Sequence, residues 1–176
     1  MSIRLQWKSA ILLCLVAALA VPVIAGETSP QSASGGVGVY ANLVQPIAVT
    51  GTADMNFGSI VPSDGLDGWV VLGTDGSRIA DGNSHLGSSA GVSPATFLVS
   101  GEVNSTFTLT IPASVALNAS DNSGLIFITD INASQSGAIP IANGGTTITV
   151  GGRLLLPASR PRVHYAGGIT VTATYN

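Results

Sequence analysis

Apolar and polar residues alternate along many short segments of this chain. Between Ser105 and Ile111, the apolar residues Phe107, Leu109 and Ile111 alternate with three threonines. This period of two is typical of a β-strand with one buried face. Turn-forming pairs such as Asp75-Gly76 and Gly144-Gly145 separate segments of this kind. Beyond residue 25 no segment carries an apolar stripe at helical spacing, so the pattern predicts an all-β protein.

The pattern predicts nine strands, with turns between them. They are 37–50 (interrupted near Pro46), 54–57, 69–72, 95–99, 105–111, 125–131, 146–150, 153–156 and 169–175. The pair Gly151-Gly152 is interpreted as one of the turns. Short strands at this spacing favour a single antiparallel, immunoglobulin-like β-sandwich that follows a cleaved signal peptide.

The same alternation predicts which side chains form the core. The expected inward residues are Phe97, Val99, Phe107, Leu109, Ile111, Leu125, Phe127 and Ile131, with Thr106, Thr108 and Thr110 pointing outward. Of these, Phe107 and Phe127 are the residues whose truncation is expected to be the most damaging single change.

The first 25 residues have the three regions of a secretory signal. Arg4 and Lys8 supply positive charge, residues 10–20 are apolar, and Val23-Ile24-Ala25 fits a cleavage site with small residues. The predicted organisation is a signal peptide at 1–25, a flexible N-terminal extension at 26–40 and a β-sandwich domain at 41–176. The expected product is exported to the cell surface or medium and has no membrane span after cleavage.

Charge and cysteine content exclude several classes of partner. Removing Arg4 and Lys8 with the signal changes the net charge from −3 to −5 and leaves no lysine. An acidic surface without basic clusters argues against nucleic acid as a partner. The only cysteine, Cys14, lies inside the predicted signal, so the mature chain has no disulfide and no cysteine metal site.

Candidate catalytic groups are few. His85 and His164 are the only histidines, and the predicted mature chain has no cysteine nucleophile, so we expect no enzymatic activity, no catalytic residues and no cofactor. Four aspartates between residues 64 and 81 offer oxygen ligands of the kind that calcium prefers. Their spacing does not fit the EF-hand template, and each is directly followed by a glycine, so turns are the preferred interpretation and no metal is expected.

The C-terminal segment and an N-terminal segment are the candidate assembly residues. Near the C-terminus Ile169, Val171, Ala173 and Tyr175 alternate with three threonines, and between residues 36 and 43 Val37, Val39, Ala41 and Leu43 alternate with Gly38, Tyr40 and Asn42. The N-terminal segment is either a donor strand for a neighbouring copy or the first strand of its own domain. The sequence leaves both alternatives open.

Four segments together resemble a bacterial secreted family, domain of unknown function 4402. They are "PIAVTGTADMNFGSIVPS", "PATFLVSGEVNSTFTLTIPASVAL", "TITVGGRLLLPA" and "YAGGITVTATYN". The family motifs are L-x-F-G, F-x-V-x-G, V-G-G-x-L and a closing G-x-Y-x-G followed by an alternating strand. The resemblance covers about residues 41–176. Met55 stands where the family usually has leucine, and "SRPRVHYAGG" replaces a shorter approach to the tyrosine.

In layout this family resembles spore-coat-U-type and chaperone–usher pilin subunits. That resemblance implies a structural subunit of a bacterial surface fibre, in which a missing strand is supplied by a neighbour. The implied partners are neighbouring copies or homologous subunits, a periplasmic chaperone and an outer-membrane usher. The alternative is a self-contained secreted binding module, perhaps for carbohydrate, with its site near Trp69 and the aspartate-rich loop.

Overall fold

The computed structural model describes residues 31–176, so the predicted signal peptide and the first part of the extension lie outside the described residues. The described part is an all-β protein with antiparallel sheets, which confirms the fold class. The immunoglobulin-like arrangement stays a prediction. No helix in the described part is long and apolar enough to cross a membrane.

The chain divides into two units, of which the first ends at Ala41 and the second begins at Asn42. In the first unit, residues 31–41 are exposed and form neither helix nor strand. The second unit begins with residues 42–47, also outside any strand, and then contains thirteen strands. These are β1 (Ala48–Ala53), β2 (Ile60–Pro62), β3 (Gly68–Leu72), β4 (Arg78–Ala80), β5 (Ser84–Leu86), β6 (Ala95–Ser100), β7 (Thr106–Thr110), β8 (Val115–Ala119), β9 (Leu125–Ala133), β10 (Ile139–Pro140), β11 (Thr146–Leu156), β12 (Tyr165–Ala166) and β13 (Thr172–Tyr175).

The largest sheet has eight strands and is organised around β11. Its order is β1-β6-β11-β9-β8-β12, and β3 and β4 continue it from a second position on β11. The first half of β11 pairs with β6 and the second half with β3, while β9 pairs across the middle. Strand β9 pairs along one edge of β11, so β6 and β3 share its other edge. The sheet divides into two parts where β6 ends and β3 begins along that edge.

The division of the sheet corrects the prediction of a turn at Gly151-Gly152. The chain runs through both glycines as one strand, and both are buried. A Cβ on Gly151 would collide with the Leu72 carbonyl oxygen, and one on Gly152 would lie 2.8 Å from the Ile128 side chain. Glycine is needed here because the change of partner brings neighbouring backbone too close for any side chain.

The core consists of two apolar clusters. One lies between the first part of the large sheet and a three-stranded sheet of order β10-β7-β13. We call it the closed cluster, and its buried members are Ala95, Val99, Phe107, Ile139, Ile141, Ile148 and Val150. The other lies on β3, β8, β9 and the second half of β11, and we call it the open cluster. Its buried members are Phe57, Val70, Leu72, Val115, Ile126, Ile128 and Leu154.

The core prediction is confirmed for β6 and β7 and wrong for the start of β9. Val99 and Phe107 are fully buried, and Phe97 and Leu109 pack against the closed cluster. Leu125 and Phe127, however, point away from the core, and Ile126 and Ile128 are buried instead. Phe127 is 43% exposed, so it is not a core residue whose truncation should unfold the protein.

A β-bulge explains why Ile131 still points inward. Between the pairs Gly151–Asn132 and Arg153–Thr129, one residue of β11, Gly152, lies opposite two residues of β9, Asp130 and Ile131. Asp130 takes a positive φ of 49° at this place. One extra residue reverses the alternation, so Ile131 faces the core although Phe127 does not.

Candidate functional site: an open groove beside the core

A large cavity lies over the open cluster. Its volume is about 1160 Å³, and its apolar floor includes Val115, Leu117, Ile126, Ile128 and Leu154. The three-stranded sheet contributes none of the side chains of the open cluster. The apolar face of β8, β9 and the second half of β11 is therefore left without a covering strand.

The first wall of the groove is residues 54–62, which contain the motif Met55-Asn56-Phe57-Gly58. Phe57 is buried in the open cluster, and Gly58 has a φ of 68°, which favours glycine. The Asn56 side-chain oxygen accepts the Gly58 N–H at 2.8 Å. The motif Met55-Asn56-Phe57-Gly58 thus forms a turn that places the Phe57 ring in the open cluster.

Arg78 fixes this wall from below. Its guanidinium donates to the carbonyl oxygens of Phe57 at 2.6 Å, Ser59 at 3.1 Å and Gly87 at 3.0 Å. A guanidinium presents donors in a rigid fork, so one side chain satisfies several main-chain oxygens of two neighbouring segments. No local sequence pattern predicts this role, because the carbonyl groups lie 9 to 21 residues away from Arg78 in the chain.

The first wall is hydrogen-bonded along one edge only. Among the described residues, the backbone-to-backbone hydrogen bonds of 54–63 all go to 83–93, for example from Asn56 N–H to the Ser93 carbonyl oxygen at 2.8 Å. None reaches the opposite wall. The main-chain groups of this wall that bind neither 83–93 nor the side chains of Arg78 and Asn56 can therefore pair with another strand.

The second wall is residues 163–169, which follow the loop 157–162. Tyr165 pairs with Ala119, and its hydroxyl donates to the Pro161 carbonyl oxygen at 2.9 Å. Beyond Ala166 the chain leaves β8, and within the described part residues 167–171 make no hydrogen bond at all. A second unpaired backbone segment thus faces the first across the cavity.

Two side-chain contacts join the loop after β2 to the loop after β11. Arg162 forms an ion pair with Asp64, and the Asp67 carboxylate accepts the Ala158 N–H at 2.8 Å. Asp75 and Asp81 also accept hydrogen bonds, from the N–H groups of Ser77 and Trp69. No cluster of three metal-ligating side chains occurs among residues 31–176.

The hydrogen bonds of Ser77 to Asp75 fix a turn. The carboxylate accepts from the Ser77 side chain and from its backbone N–H, and these bonds lower the pKa of Asp75. The same arrangement at Ser123 lowers the pKa of Asp121. Both carboxylates are fully exposed and stabilise turns.

The C-terminal assembly candidates lie together on one face. Val171 is buried, and Ile169, Ala173 and Tyr175 pack against the closed cluster. Strand β13 pairs with β7 on one side and has no second partner among the described strands. The inward direction of these four side chains agrees with the alternation in the sequence. Their role in assembly stays a prediction.

The Tyr175 hydroxyl joins three distant parts of the chain. It accepts the Glu102 N–H at 2.7 Å and donates to the Gln45 carbonyl oxygen at 2.7 Å. The Glu102 carboxylate in turn accepts the Gln45 N–H at 3.1 Å. Gly101 is required beside it, since a Cβ there would collide with the hydroxyl. We call this arrangement the tyrosine clamp.

The N-terminal candidates have no partner strand in the part of the chain that the structure describes. Val37, Val39 and Leu43 are 90%, 89% and 91% exposed, and strand structure begins only at Ala48. The segment therefore differs from the first strand of the domain, which pairs with β6.

A smaller pocket lies beside Trp69, near the site expected for a carbohydrate-binding module. Its volume is about 270 Å³, and Asp67, Leu155 and Pro157 contribute to it. The Arg153 guanidinium lies 5.3 Å from the centroid of the Trp69 ring and covers part of it. Such stacking is a cation–π contact.

These features define an all-β protein with an open apolar groove between two unpaired backbone segments. Comparison with known families assigns it more closely. Residues 47–175 match the family described as Domain of unknown function (DUF4402), and the chain belongs to that family. No curated protein and no solved structure matches it.

Proposed function

We propose that this protein is a structural subunit of a bacterial surface fibre and that copies assemble by β-strand complementation. The observation that carries the proposal is the groove, whose apolar floor lies between two unpaired backbone edges. Such a groove fits an extended strand, because main-chain hydrogen bonds form along the walls while alternate side chains cover the floor.

The donor in this proposal is residues 37–43 of a neighbouring copy. Val37, Val39, Ala41 and Leu43 would face the groove floor, and Gly38, Tyr40 and Asn42 would face solvent. An extended segment of this length spans about 20 Å, which is comparable to a wall of nine residues at 54–62. Strand structure begins only at Ala48, which supports this role over that of a strand of its own domain.

The other partners follow from the same proposal. An exported subunit with an open groove needs a chaperone that fills it before assembly, and an usher that exchanges the chaperone for the next subunit. The carbohydrate-binding alternative would use the pocket at Trp69 and would need neither partner.

The test places a charge on either face of the proposed donor. Val39→Asp puts a carboxylate toward the apolar floor, where burial without a partner is unfavourable. We expect this variant to fold, stay soluble and fail to polymerise. Tyr40→Asp is the matched control, because Tyr40 is 94% exposed and lies on the other face. It should polymerise like the wild type.

Electron microscopy and sedimentation of both variants, expressed with the neighbouring genes, give the readout. Loss of assembly in Val39→Asp alone supports the donor strand. If Val39→Asp unfolds as a monomer, the segment belongs to its own domain. If both variants polymerise normally, the segment is not the donor.

A further inference from the structure

The outer surface of the large sheet carries six apolar side chains that no described residue covers fully. They lie on the face opposite the open cluster, and we call them the outer band: Leu125, Phe127, Leu155, Trp69, Val71 and Ile79. Phe127 is 43% and Ile79 60% exposed.

The strand register shows that the outer band is continuous across four strands. Ile79 of β4 lies opposite Val71 of β3, and Trp69 of β3 lies opposite Leu155 of β11. Leu154 of β11 pairs with Ile128 of β9, and the next residues along the two antiparallel strands are Leu155 and Phe127. Directly paired side chains on one face are about 5 Å apart, so the band forms a single surface.

Strand β9 is apolar on both of its faces. Ile126 and Ile128 supply the core side, and Leu125 and Phe127 supply the solvent side. A strand with one solvated face normally alternates apolar and polar residues. Single exposed apolar residues are common, but a contiguous apolar surface marks a contact with another molecule.

The charges beside the band identify a second copy of this chain as the partner. Arg153 and Asp130 are the charged pair on this face, 2.9 Å apart, and their side chains are 43% and 61% exposed. In a contact with two-fold symmetry each surface meets itself. A surface with adjacent positive and negative charges is complementary to itself, because each Arg153 can then face the partner's carboxylate.

We propose that two copies associate face to face through the outer band. The contact is independent of strand complementation, since the band lies on the opposite face of the sheet from the groove. In a fibre it would join subunits side by side, and in a protein unable to exchange strands it would give a dimer.

The experiment uses the full mature chain carrying Val39→Asp, so that strand exchange does not contribute. Analytical ultracentrifugation over a concentration series should show a monomer–dimer equilibrium. Adding Phe127→Ser or Ile79→Ser should weaken the dimer about tenfold or more, as expected when an apolar side chain at the centre of an interface is truncated.

Val103→Ser is the matched control. Val103 is 42% exposed, lies between β6 and β7 outside the large sheet, and lines neither the groove nor the pocket at Trp69. The control should leave the dimer unchanged, and circular dichroism should show that all variants keep their fold. A monomeric parent protein, or equal weakening by Val103→Ser, overturns the proposal. If the wild type associates and the Val39→Asp protein does not, the proposal is also overturned, and all assembly is due to strand exchange.

Discussion

Tyr175 and Arg78 bind main-chain groups in parts of the chain where regular sheet pairing stops. Gln45 precedes β1, and Phe57 and Ser59 lie in the irregular wall between β1 and β2. Buried or half-buried main-chain groups need partners wherever the sheet provides none. At the residue scale, one hydroxyl therefore holds the chain just before β1, and one guanidinium holds the groove wall.

The tyrosine clamp can be tested by removing a single oxygen. Tyr175→Phe keeps the ring against the closed cluster and loses the hydrogen bonds to Glu102 and Gln45. We expect a loss of about 1–2 kcal/mol in the free energy of unfolding, measured in urea. Tyr40→Phe is the control, since Tyr40 is exposed. Equal stability of the two variants would show that the clamp does not contribute.

Sequence alternation predicted the direction of Tyr175 but not the partners of its hydroxyl. The acceptor and donor lie 130 and 73 residues away in the chain. Alternation depends on local geometry, whereas these contacts depend on how two sheets meet. The same reason explains why Arg78, the main polar support of the groove wall, was not predicted.

At the element scale, the errors concentrate on the two longest strands. Alternation cannot identify the inner face of β9, because the segment Leu125 to Ile128 is apolar at every position. The bulge at Asp130 then reverses the faces halfway along the strand. In β11 the two glycines look like a turn, yet they permit one strand to change partner from β6 to β3. Alternation predicted β3, β6, β7, β9, β13 and both halves of β11, but it missed β8 and the short strands β2, β4, β5, β10 and β12. The changes within β9 and β11 depend on neighbouring strands.

Gly151→Ala tests whether β11 needs glycine at the division of the sheet. The added Cβ would collide with the Leu72 carbonyl oxygen and crowd Gly73 and Thr74. Overpacking of this kind costs about 1–3 kcal/mol, so the thermal midpoint should fall. Gly82→Ala is the control, because nothing lies within 4 Å of its Cβ position. If the thermal midpoint falls by the same amount in both variants, the close packing at Gly151 does not explain the loss of stability.

At the scale of the whole molecule, the second unit is filled on one side and open on the other. The closed cluster lies between two sheets, while the open cluster is bordered by the groove and its two walls. Phe107 belongs to the closed cluster and is fully buried. A protein built in this way combines a stable part with an apolar surface that a further strand would complete.

Hydrogen exchange should show this difference directly. In the Val39→Asp monomer, the amides of 167–171 lack main-chain partners and should exchange quickly, as should those amides of 54–61 that bind neither 83–93 nor the Asn56 side chain. The amides of 95–99 and 146–150, paired within the large sheet, should exchange slowly. Adding a peptide of residues 35–45 with the wild-type sequence should slow exchange in both walls by about tenfold or more, since each new main-chain hydrogen bond must open before its amide exchanges. The same peptide carrying Val39→Asp is the control and should have no effect. Protection that appears in only one wall, or equally with both peptides, would contradict a strand bound between the two edges.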